Sequence, residues 1–150
     1  MEYHIRPADG ADIAMIHRLV SQLAEYERAA DQVITTPADY QRDFEAGCFQ
    51  ALVAVDLQSG EIVGMALYYF AYSTWKGRYL WLEDFIVTEQ CRGKGVGRLL
   101  FDAVGAIAAK ENTFMKWQVL DWNTPAINFY NKYPMEVQDE WLTCRMPVRS

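Results

Sequence analysis

The sequence contains no CxxC pair, no histidine cluster, no long apolar run and no Pro-, Gly- or Ser-rich linker. Each absence removes a class of protein. Cys48, Cys91 and Cys144 are odd in number and widely spaced, so they read as reduced thiols of a cytoplasmic protein, neither a disulfide frame nor a zinc site. His4 and His17 are the only histidines and fall in separate segments, so no metal is expected. The most apolar stretches, such as Ile62 to Ala71, are too short to span a bilayer. Met1-Glu2-Tyr3-His4 carries an early acid and opens a strand-like run, so it does not read as a signal peptide. Basic charge is also scarce: 14 Lys and Arg against 20 Asp and Glu give a net charge of −6 and a pI near 4.9. Such a surface argues against nucleic acid as the main partner and is compatible with cationic ligands.

What remains is a 150-residue chain, 51% hydrophobic and 23% charged, which is enough for one domain over residues 1–150 with one core. Glu2 to Arg6 alternates as a strand. Asp9 can cap a helix whose Ile13, Ile16, Leu19, Val20 and Leu23 share a face, and Thr36-Pro37 opens a second helix. Ala51–Val55 and Ile62–Tyr72 read as strands joined by the turn Gln58-Ser59-Gly60, followed by a strand over Arg78–Val87. Leu99, Leu100, Ala103, Val104, Ile107 and Ala108 recur at helical spacing. A strand is expected over Met115–Asp121, a short helix over Pro125–Tyr133, and one or two strands between Val137 and Val148. Early strands that pair as a meander, interleaved with helices, predict an α/β domain with a mixed sheet.

The sharpest local signal is Arg92-Gly93-Lys94-Gly95-Val96-Gly97-Arg98, between a strand and an amphipathic helix. Glycines bring backbone N–H groups close to a ligand, and the helix start adds partial positive charge, so the unit is suited to phosphate. Neither GxGxxG nor GK[ST] is satisfied; what stands is R-x-x-G-x-G, on Arg92, Gly95 and Gly97. With Ile5-Arg6-Pro7, Leu23-Ala24-Glu25-Tyr26-Glu27, Tyr68-Tyr69-Phe70, Leu82-Glu83-Asp84-Phe85 and Trp122-Asn123-Thr124-Pro125-Ala126-Ile127-Asn128-Phe129-Tyr130, the chain resembles the GNAT N-acetyltransferase superfamily, most closely its spermidine/spermine branch.

The resemblance implies an acetyl-CoA-dependent enzyme acting on a small primary amine, as a homodimer, with the cofactor held between splayed strands. Glu83 would bind the amine and take its proton through water, unless it is only a strand-end carboxylate turned to solvent. Asp84, on a regular strand, points to the opposite face. The amides of Phe85, Ile86 and Val87 would hold pantetheine and polarise the thioester carbonyl, with the phosphates on the loop from Arg92 through Gly93, Lys94, Gly95, Val96 and Gly97 to Arg98. Tyr130 matches the general acid, although spacing alone favours a core tyrosine. Asn123 and Ala126 match CoA contacts, and Asn123 serves equally as a helix cap. Tyr26, Glu27, Glu83, Trp75 and an acid near Asp139 or Glu140 would line the amine channel, with Asp84 counted among its acids. Ser73 in place of an expected aspartate, Pro134 in place of a glycine, and a shorter tail leave a diamine, a polyamine and a lysine analogue such as thialysine all open as acceptors. A peptide amine, and a CoA-binding module without turnover, are the rival readings. Cys91 is weighed against as a nucleophile because no histidine lies near it in sequence.

Overall fold

A computed structural model describes residues 2–147. The chain divides into two compact units, the first ending at Trp117 and the second beginning at Gln118.

The first unit is built on a five-stranded sheet in the order β1 (Tyr3–Pro7), β2 (Gln50–Asp56), β3 (Ile62–Ser73), β4 (Gly77–Val87), β5 (Met115–Lys116). The first four strands are antiparallel neighbours, and β4 and β5 are parallel, which makes the mixed sheet that the sequence predicts. The helix α1 (Ile13–Tyr26) buries Ile13, Ile16 and Leu19 against Ala51, Val53, Met65, Leu67 and Ile86. On the opposite face Ala54 and Val63 pack with Cys91 and with Val96, the first residue of α3 (Val96–Lys110). Ala54 reaches that face by alternation with Val53, and Val63, two residues from Met65, by the register shift between β2 and β3 beside it. Gly64 suits this crossing, because a Cβ there would sit 3.0 Å from the Ile86 carbonyl, a tight contact with backbone. The helix α2 (Pro37–Glu45) starts on a reciprocal capping box of Thr36 and Asp39.

Arg6 of the Ile5-Arg6-Pro7 motif has a structural task. Its guanidinium grips the buried Asp12 at 2.7 and 3.0 Å, and this hydrogen bonding holds the Asp12 carboxyl below the usual range. The pair fastens β1 to the start of α1.

Three expectations need correction. The strand expected over Met115–Asp121 is only Met115–Lys116, and its ladder ends at Trp81↔Lys116, two residues before β4 becomes irregular. No strand forms between Val137 and Pro147 among the described residues; alternation alone makes no strand without a ladder partner, and Val148 lies outside the described residues. In the second unit the helix α4 (Thr124–Tyr130) stops at Tyr130, short of Tyr133. No helix of the described residues is long and apolar enough to cross a membrane.

Candidate active site

Between Leu67↔Asp84 and Tyr68↔Leu82 the register of β3 and β4 shifts by one residue, which leaves Glu83 as the extra residue of a β-bulge. On a regular strand Glu83 and Asp84 would point to opposite faces. Here Asp84 is the cross-strand partner of Leu67, which faces α1. Tyr69 lies two residues further along β3, on the same face, and pairs with Trp81. Glu83 accepts hydrogen bonds from both, at 3.2 Å from the Tyr69 hydroxyl and 2.8 Å from the Trp81 indole N–H. Both carboxylates therefore occupy the α1 face, and the expectation of opposite faces is overturned by the bulge.

Electrostatics confirm the crowding. Burial first, and then the charges of Glu83 and Glu27, push the Asp84 carboxyl up to about 6. Glu27, the half-buried C-cap of α1, is itself raised by burial. Tyr40 of α2 is raised by burial and then by Asp84, which puts a phenol on the same side as the acids. Trp81 and Tyr40 carry no motif in the sequence, and Tyr69 stands out there only as part of Tyr68-Tyr69-Phe70. Trp81 was readable, since it stands two residues before Glu83 on one strand; Tyr40 carries no local signal and reaches the acids only through the packing of α2.

The glycine loop begins after Val87, passes through a single 3-10 turn (Glu89–Cys91), and ends in α3. Arg92 folds back to donate to the Val87 carbonyl at 3.1 Å, and its guanidinium lies 5.5 Å from the centre of the Tyr26 ring. Gly93 and Gly95 have φ of +77° and +87°, with nothing within 4 Å of where a Cβ would stand. The loop is thus a bare backbone cradle that only glycine adopts without strain. Gly95 caps α3 without a side chain, so the first-turn amides of a 15-residue helix open directly onto the loop. Val96 is only 1% exposed, so its side chain belongs to the core and its backbone alone faces the loop. Gly97 is inside the first turn of α3 and is not at positive φ. Arg98 pairs with Asp102 along the helix at 3.7 Å. Amide N–H donors, cations and an absent side-chain screen together suit a phosphate group.

Ile86 is buried against α1, Phe85 packs edge-on against Phe101, and Val87 borders the α3 cluster. An open groove of about 1120 Å³ runs between α1, the end of β4, the β2–β3 turn and the loop up to Lys94. Tyr26 lines it and is 40% exposed. Trp75 is not brought to the acids. It stands at the tip of the β3–β4 hairpin, beyond Ser73↔Gly77, about 20 Å of strand from the Leu67↔Asp84 pair. Ser73 caps that turn through its hydroxyl, accepting from the amides of Trp75 and Lys76.

In the second unit Asn123 is buried and caps α4, its side chain accepting from the Ala126 amide at 3.4 Å. Tyr130 is buried in the last turn with its ring edge-on to Phe129 at 5.6 Å. Asp139 is exposed and outside any helix or strand. No group of three or more His, Cys, Asp or Glu among the described residues is placed to hold a metal ion.

The signature of the Acetyltransferase (GNAT) family matches residues 15–133. A thialysine N-epsilon-acetyltransferase of Bos taurus is 39% identical over 135 residues, covering 84% of this chain and 79% of that protein. The spermidine/spermine N(1)-acetyltransferase-like protein 1 of Homo sapiens is 38% identical over 136 residues, covering 85% of this chain and 20% of that protein. Among solved structures, a mutant of a Bacillus halodurans protein superposes with a TM-score of 0.79 at 23% identity, covering 97% of this chain and 99% of that one.

Proposed function

The chain belongs to the GNAT acetyltransferase family, and from that premise we propose that it moves an acetyl group from acetyl-CoA to a small primary amine with a second cationic centre. The observation that carries this reading is the bulge at Glu83, which sets Glu83 and Asp84 on one face beside Glu27. Carboxylates crowded on one face repel one another and are relieved by a cation, so the cluster is suited to ammonium groups. The similarity to enzymes named for thialysine and for spermidine/spermine supports the same substrate class.

In this reading acetyl-CoA supplies the activated acyl group as a thioester. The loop amides and the first turn of α3 hold the phosphates, with Arg92, Lys94 and Arg98 adding charge. The acceptor arrives as an ammonium and gives up a proton by way of Glu83, whose carboxylate is fixed by Tyr69 and Trp81. The amine nitrogen then forms the new C–N bond at the carbonyl carbon. The backbone amides of Phe85, Ile86 and Val87 steady the oxyanion. As the C–S bond breaks, Tyr130 donates its proton to the departing thiolate and is restored by the second proton, which the nitrogen sheds as it becomes an amide. Asn123 and Ala126 are assigned to the cosubstrate, Tyr26, Glu27 and Asp84 to the acceptor, and Asp139 to the acceptor as a contribution of the tail. A homodimer in a reducing, cytoplasmic setting completes the reading.

The test is a panel assay. With acetyl-CoA and thialysine, ornithine, short diamines, spermidine, spermine, amino acids and peptides offered singly, free CoA thiol and acetylated product are measured together. Stoichiometric product with diamines or lysine analogues is expected. Preference for peptides, or CoA binding with no acetylated amine, contradicts it.

A further inference from the structure

Four residues of α1, Met15, Arg18, Gln22 and Tyr26, recur at helical spacing and all line the groove that Arg92 and Lys94 also line. The stripe ends at the loop, where the Tyr26 ring carries the Arg92 guanidinium. Arg18 is exposed and, among the described residues, forms no salt bridge or hydrogen bond; the same holds for Lys94. Two unpaired cations and a third braced on an aromatic ring thus line one groove of a protein whose net charge is −6. The carboxylates of that groove, Asp56, Glu61 and Glu89, come from the β2–β3 hairpin and from the turn that precedes the loop.

An unpaired arginine in a groove with bare amide donors is suited to a phosphate ester, whose oxygens a guanidinium grips with paired N–H donors. We infer that Arg18, together with Lys94, binds a phosphate of the CoA cosubstrate, so that the ligand is clasped between α1 and the glycine loop. The inference rests on the proposal that the loop holds CoA. It adds α1, which supplies Glu27 at its C-cap, as an element shared between the cosubstrate and acceptor sites. Binding of CoA then fixes the helix that carries an acceptor carboxylate, and loading of the cosubstrate favours loading of the amine.

The experiment is calorimetric titration with CoA of the full chain and of Arg18→Ala, Arg18→Lys and Gly95→Val, at about 0.05 M and about 0.5 M salt. Thermal melting confirms that each variant is folded. Arg18→Ala is expected to raise Kd about five- to thirtyfold at low salt, with a gap that shrinks at high salt, and Arg18→Lys to fall between it and the parent. A Kd within twofold of the parent at low salt overturns the inference, as does a gap that salt leaves unchanged, since packing would then be its cause. Gly95→Val separates the two ideas. Lost binding there with parent-like binding by Arg18→Ala sinks Arg18 alone, whereas parent-like binding by both sinks the loop reading beneath it.

Discussion

Asp84 is held in the folded chain at a cost. Its carboxyl, at about 6, titrates above the ordinary value of 3.8 because burial and the charges of Glu83 and Glu27 disfavour ionisation. An acid raised on folding binds more protons folded than unfolded between those two values. Stability is therefore fullest below about 4, falls as pH rises towards about 6, and is level above that. Asp84→Asn removes the penalty, so its melting temperature should exceed the parent's at pH near 7.5, and the difference should vanish near pH 4. Paired thermal scans across that window check it; equal melting temperatures at both pH values contradict it. Tyr130 invites a second test at this scale. If Tyr130 is the proposed proton donor to the thiolate, Tyr130→Phe should keep CoA affinity yet lose roughly 10²- to 10⁴-fold in turnover, read by single-turnover kinetics. A rate within twofold of the parent would leave Tyr130 as a packed tyrosine, which its burial in the last turn of α4 also allows.

At the scale of elements, the loop and the bulge differ in how openly the sequence declares them. The strand, the basic glycine run and the helix were legible because each rests on local chemistry: positive φ at Gly93 and Gly95, an uncapped helix start, and an apolar stripe from Val96 onwards. Gly95→Val should raise the Kd for CoA at least tenfold, by strain at φ +87° and by a side chain inside the cradle; unchanged titration of a folded variant would remove the loop from the site. Gly97 is the weaker target of the motif's two glycines, because its backbone is helical. The bulge was not legible. On a regular strand Glu83 and Asp84 take opposite faces, and only the register against Tyr68 and Leu67 reveals the extra residue. A one-residue slip changes which face a side chain takes, so pairing, which is non-local, decided the site's chemistry. The short β5 and the tail beyond Val137 failed for the same reason: a strand exists only where a partner edge accepts it.

For the whole molecule, the charge pattern and the exposed apolar residues make separate demands. The second unit presents Val137, Trp141, Leu142 and Met146 at 76%, 70%, 88% and 90% exposure, a density of large apolar groups that a monomer rarely leaves to water. The proposed homodimer should bury them. Light scattering after gel filtration should give twice the 17.3 kDa chain mass, and Trp141→Glu with Leu142→Glu should shift it towards one; a parent mass of 17.3 kDa refutes the dimer. In the proposed function the acidic balance acts on the substrate, through the local cluster more than through the sum of −6. The measurement that reaches the central claim most directly is the ratio of kcat/KM for a short diamine to that for its matched monoamine, in the parent and in Glu27→Gln, at low and high salt. A receptor of carboxylates predicts a parent ratio well above one, a several-fold fall in Glu27→Gln, and a difference that salt shrinks. A ratio near one in the parent, or one that neither the substitution nor salt alters, would contradict it.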